Sequence, residues 1–200
     1  MDTLFVFGSL TECCWYGALQ RLARALETTN KPGAATHYRE LFRCLAEEGF
    51  PDAATALADA LVYGTSALAD QAAAVPPGLL AGALCDLKTL AGLAQRDWAQ
   101  DTGRLLGQSL PALACLAPEP SDTAIQSVSE ALRAGEPQAL LASLLHVYRQ
   151  QGAGELARYQ ALCWSPETRS LRGIEQPARP DPGRLVDLDR PLDFLRRNTE

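Results

Sequence analysis

The stretch closest to a phosphate-binding loop is Gly82-Ala83-Leu84-Cys85-Asp86-Leu87-Lys88-Thr89. A loop that wraps phosphates needs glycine directly before its lysine, and Leu87 stands there, so Lys88 is read as a solvated or ion-paired side chain. Gly8-Ser9-Leu10 and Gly64-Thr65-Ser66 lack the second glycine of a nucleophile elbow. Cys13-Cys14 supplies a thiol, but no spacing signature brings His37 or His146 to it as a base. Glu47 and Glu48 are neighbours in sequence and therefore diverge on a helix, which rules out an acid/base dyad. Six cysteines without a CxxC pair, and two histidines, give no zinc spacing. They read as buried free thiols in a reducing compartment. Arg190, Arg196 and Arg197 gather near the end, where they could meet phosphate or an acidic surface, and also fit a solvated helix face.

Elements that could position such residues follow from composition and period. The 200 residues are 47% hydrophobic and 21% charged, enough for one folded core with an appendage. A net charge of -6 argues against nucleic acid as a partner. Apolar runs such as Val75–Leu87 are interrupted by Pro76, Pro77, Gly78 and Asp86 and fall short of the ~20 residues of a membrane span. The N-terminus has an acid where a signal peptide has a base. A cytoplasmic location is expected.

Ser9-Leu10-Thr11-Glu12 has the pattern of a capping box and predicts a first helix from about Thr11 to Glu27. A second carries Tyr38, Leu41, Phe42 and Leu45 and closes at Gly49. A third takes Pro51 in its first turn. The segment from Leu79 to Trp98, apolar nearly all round in its first half, is expected to be the central buried helix. Segments 104–116, 123–134 and 138–151 add three more. The fold class is therefore mainly α, with six or seven packed helices, and a solenoid-like stack is compatible with it. Tyr159–Trp164 alternates and Leu171–Ile174 can return beside it, a small β-hairpin. Pro, Arg, Asp and Gly dominate Glu175–Asp187, an extended linker, and Asp189–Arg197 could close with a short amphipathic helix. The expected divisions are 1–157, helical; 158–175, hairpin; and 176–200, linker.

From Tyr148 onward the order is Gly152-Ala153-Gly154, Tyr159-Gln160-Ala161, Trp164, Pro180-Asp181-Pro182, Arg184-Leu185 and Asn198-Thr199-Glu200. This quarter of the chain resembles the stretch leading into the ATPase module of a bacterial AAA+ family known as domain of unknown function 815. Cys163 departs from it, since an aromatic is usual before the tryptophan. The resemblance implies that residues 1 to ~175 are a helical N-terminal domain recognising a protein partner or substrate. It also implies that 176–200 begins an ATPase module whose phosphate loop, magnesium-binding acid and sensors lie beyond Glu200. ATP and magnesium are then expected only with that module, as is any oligomer formed through it. Arg184, Leu185 and Val186 would lie on the adenine side of its linker, and no catalytic residue is expected in this chain. The alternatives are a freestanding helical interaction module or adaptor and, third, an enzyme with an unrecognised site.

Overall fold

The computed structural model describes residues 4–113, 116, 122–159, 161–167 and 169–174, which fall into two compact units, one ending at Arg158 and one starting at Tyr159. The fold is mainly α with a small antiparallel hairpin near the C-terminus. In the first unit a 3-10 turn, Gly8–Glu12, precedes α1 (Cys14–Glu27), α2 (Lys31–Glu48), α3 (Ala53–Tyr63) and α4 (Ala67–Asp70). These are followed by α5 (Pro77–Ala94), α6 (Trp98–Leu106), α7 (Thr123–Ala134), α8 (Pro137–Gln151) and α9 (Glu155–Arg158). The second unit holds β1 (Leu162–Ser165) and β2 (Ser170–Gly173). They pair antiparallel, with Trp164 opposite Leu171.

Local chemistry sets most of these boundaries. Asn30, Asp52, Ser66, Asp97 and Asp122 each accept a first-turn backbone N–H with the side chain, satisfying donors that a helix start leaves without intrahelical partners. Gly49, Gly107 and Gly135 close α2, α6 and α7 with φ of 77°, 72° and 78°, a left-handed conformation that costs glycine little. Pro32, Pro77 and Pro137 lie in the first turn of their helices, where the absent N–H has no intrahelical acceptor to serve.

Several expectations are corrected. The capping box is not formed. Ser9 Oγ instead donates to the carbonyl of Thr65 at 3.0 Å and Thr11 Oγ1 to that of Gly8 at 2.7 Å, and α1 starts only at Cys14. The helix expected over 104–116 is displaced: Asp97 caps α6 seven residues earlier, Gly107 ends it, and only Arg104–Leu106 of the expected span are helical among the described residues. The central position belongs to α3, not to Leu79–Trp98. Eight of the eleven α3 residues are buried, mostly alanines and leucines that admit α5, α7 and α8 at close range, against five of eighteen in α5. Pro76 and Pro77 begin α5 rather than interrupt it. With a mean hydropathy of 1.2, this helix is long and apolar enough to cross a membrane by length and composition alone. In the fold it packs against α3, α4, α7 and α8.

Two helical groups result. The hairpin of α1 and α2 is joined by α6, while α3, α5, α7 and α8 pack around one another. The N-terminal segment crosses from one group to the other. Asp86 of α5 is only 2% exposed, and its carboxylate accepts the backbone N–H groups of Phe5 (3.0 Å), Val6 (2.8 Å) and Phe7 (3.2 Å). One turn earlier on the same helix face, Gly82 leaves room for the segment; a Cβ there would lie 3.3 Å from Val6 Cγ2 and 3.5 Å from Phe5 Cβ. Val6, Phe7 and Leu10 are buried, and the chain then turns into α1.

Asp86→Ala strands three N–H groups beside a cavity and is expected to destabilise the domain by roughly 3 kcal/mol. Amide exchange at residues 5–7 should accelerate far more than in α7, and an unchanged pattern would contradict the clamp. Among the described residues, Thr102 Oγ1 is the buried side-chain polar atom without a partner. Thr102→Val replaces that hydroxyl with a methyl of equal shape and is expected to raise stability by about 1 kcal/mol, measured by urea unfolding.

Candidate functional site

Asp59 and Tyr63 are four residues apart on α3 and therefore share one face of the helix. That face borders a cavity of about 260 Å³. Leu10 and Cys13 come to it from the N-terminal turn, Trp15 from α1, Glu48 and Phe50 from the end of α2, and Arg158 from α9. Its floor is aromatic and aliphatic, and its polar groups converge from elements distant in sequence, which is the usual construction of a small-ligand site.

Arg158 Nη2 lies 2.6 Å from Asp59 Oδ2, and the same guanidinium rests 4.7 Å from the centre of the Tyr63 ring. A cation over an aromatic face and against a half-buried carboxylate is held by both. The Tyr63 hydroxyl donates to Asp122, the residue that also caps α7. The site is thus tied to the α3–α7 contact.

The electrostatics favour protonated forms. Burial raises the Asp59 carboxyl above its ordinary range; Arg158 pulls it back in part, and Asp122 and Glu48 push it up again. Burial, then the hydrogen bond to Asp122, raises the Tyr63 phenol. Burial, then the charges of Glu48, Asp59 and Glu12, raises the Cys13 thiol. An activated nucleophile needs the opposite shift. The thiol and phenol therefore stay protonated near neutral pH, the phenol donating to Asp122, and the positive group beside the acids is the Arg158 guanidinium.

A second cleft, of about 510 Å³, lies between the start of α3, the α5–α6 turn and α7. Its charges are committed to one another. Arg133 Nη2 pairs with Asp52 Oδ2 at 2.6 Å, Gln95 Nε2 donates to the carbonyl of Arg133 at 3.2 Å, and Arg96 stacks 4.5 Å over Trp98 while pairing with Asp101. This cleft serves mainly to join helices.

The residues weighed in the sequence are placed as follows. Lys88 is exposed, and Gly82, Asp86 and Lys88 lie inside α5, so the near-miss phosphate loop is a helix whose Gly82–Asp86 face holds the N-terminus. Glu47 pairs with Arg43 at 2.6 Å whereas Glu48 turns to Cys14 at 3.2 Å, diverging as expected. His37 contacts Glu40 at 3.3 Å, His146 is exposed on α8, and neither lines the Cys13 cavity. Of the described cysteines only Cys44 is buried; Cys14, Cys85 and Cys163 are exposed, which corrects the expectation of buried thiols. Among the described residues no group of three or more His, Cys, Asp or Glu side chains could hold a metal ion. Arg184, Leu185 and Val186, and the arginines at 190, 196 and 197, lie outside the described residues. Sequence reasoning did not single out Asp59, Tyr63 or Arg158. The i, i+4 spacing of the first two was visible, but the 99-residue separation of Asp59 and Arg158 was not bridged by any pattern.

Comparison with family models, with curated proteins and with solved structures gives no match to this chain.

A carboxyl raised in the folded state ionises first in the unfolded chain. Asp59 therefore withdraws stability as the pH rises from the unfolded carboxyl range, near ~4, through its folded value. Asp59→Asn is expected to flatten that part of the stability curve. Arg158→Ala removes the cation that lowers Asp59, so carbon-13 NMR titration should find the carboxyl higher still; an unmoved value would dismiss the ion pair.

Proposed function

We propose that this chain is the partner- or substrate-recognition and regulatory part of an AAA+ type ATP-binding protein, and is not catalytic by itself. The observation that carries the reading is the exposed cross-strand pair on the hairpin. Trp164 is 60% exposed and faces Leu171, which is 47% exposed. A two-stranded ribbon of four residues per strand is marginal on its own and gains stability when such an apolar pair is covered. In this reading the cover is the ATPase module that follows the linker. The motif order from Gly152 to Glu200 supports it, because the pair lies just ahead of the Pro-Asp-Pro lead-in. The raised thiol and phenol of the α3 cavity accord with a recognising rather than a reacting surface. Arg184, Leu185 and Val186 would then approach the adenine edge of ATP, with magnesium held by the module alone.

A second reading, a freestanding helical interaction module that takes a small or peptidic cation, is favoured by one observation: the Asp59–Tyr63 cavity already holds a guanidinium, that of Arg158. The two readings separate at the gene. The codons after Glu200 are expected to encode GxxxxGK[ST] within ~20 residues; if no reading frame there contains it, the motor reading fails and the module reading stands.

A further inference from the structure

Cys14 opens α1, and Cys44 lies one turn before the end of α2, where the two helices pack against each other. Cys14 reaches across the seam to Glu48, which is one turn along α2 from Cys44, so both thiols stand at the same level of the α1–α2 contact. Cys14 Sγ also donates to Glu48 Oε1 at 3.2 Å, and Arg43 Nη2 lies 3.9 Å from Cys44 Sγ. Their exposures differ sharply: Cys14 is open to solvent, whereas Cys44 is 1% exposed.

We propose that Cys14 and Cys44 are a disulfide-forming pair across the α1–α2 seam, in which Cys14 meets the oxidant, Cys44 resolves the adduct, and Glu48 restrains the reaction. The oxidant is a low-molecular-weight disulfide such as oxidised glutathione. Cys14 releases its proton to solvent, and its thiolate attacks one glutathione sulfur, breaking that S–S bond and expelling a glutathione thiolate. Cys44 then gives up its proton, with the Arg43 guanidinium beside the developing thiolate, and attacks Cys14 Sγ. The second glutathione leaves. Two electrons have passed from the protein dithiol to the glutathione disulfide, and two protons are taken up by the two departing thiolates.

Exposure assigns the order, since a solvent-borne disulfide can reach Cys14 but reaches Cys44 only through it. Placement at the same level of two packed helices, with Glu48 touching Cys14 and Arg43 beside Cys44, supplies the closeness that a disulfide requires. Cys13, the neighbouring thiol, belongs to the Asp59 cavity instead. Partial desolvation against the seam, the neighbouring Cys44 and the hydrogen bond to Glu48 push the otherwise exposed Cys14 thiol up to about 12, so attack is slow and the dithiol is the resting form. Glu48 contributes to that restraint because its negative charge opposes a thiolate beside it.

The test treats the full chain with oxidised glutathione, quenches with acid and maps peptides by mass. A Cys14–Cys44 linked peptide lighter by two hydrogen atoms is expected, together with a thermal midpoint higher by about 5 °C or more from closing a loop of roughly 30 residues. Glu48→Gln should form the link at least ~5-fold faster, Cys14→Ser should form none, and Cys44→Ala should trap one glutathione on Cys14. A Cys13–Cys14 link, or a glutathione adduct on wild-type Cys14 that never resolves, overturns the pairing. An unchanged rate in Glu48→Gln overturns the restraint assigned to Glu48.

Discussion

The carboxylate of Asp86 is the constraint on which the rest of the first unit hangs. A charge at 2% exposure survives only when its lone pairs are taken up, and here three successive backbone N–H groups do this. The arrangement is reciprocal. Phe5, Val6 and Phe7 are not in a helix or strand, so their N–H groups would otherwise have no regular acceptor. One side chain thus solves two problems of burial, and Gly82 makes the solution sterically possible by leaving its helix face bare one turn away.

From this clamp the geometry of the candidate site follows. The segment fixed on α5 continues into the 3-10 turn, which delivers Leu10 and Cys13 to the cavity and Ser9 to the carbonyl of Thr65 beyond α3. The opposite wall is α3, the most thoroughly buried helix, so Asp59 and Tyr63 are offered from a rigid support. Arg158 closes the arrangement from a single-turn helix near the edge of the unit. Rigid acids and aromatics on one side face a long cationic side chain on the other, whose guanidinium is seated on both the Asp59 carboxylate and the Tyr63 ring.

The elements written in local code were legible. Asp122 and Gly135 bracket α7, Gly135-Glu136-Pro137 separates it from α8, and the alternating Tyr159–Trp164 run foretold the hairpin. What failed was decided by competition. Asp97 outbid the apolar run 104–116 as a helix start, and the alanines of α3, modest in hydrophobicity, won the centre because small side chains let three helices approach. Asp86 looked like an interruption of an apolar stretch, since its acceptors' partners lie about eighty residues away. The candidate site was the least legible part. Nothing local in Asp59 or Tyr63 marks the arrival of Arg158, and the shifts in Asp59, Tyr63 and Cys13 arise from burial that only the assembled helices create.

The clamp also orders events in time. As the chain leaves the ribosome, α1 and α2 adjoin in sequence and can pair at once, whereas the N-terminal segment has no anchor until residue 86 has emerged. Through that interval Phe5, Val6, Phe7 and Leu10 form an apolar leader without a seat. These residues, made 80 positions ahead of their acceptor, are therefore among the last of this unit to be fixed, and the nascent chain carries them as a surface that a holding chaperone can read.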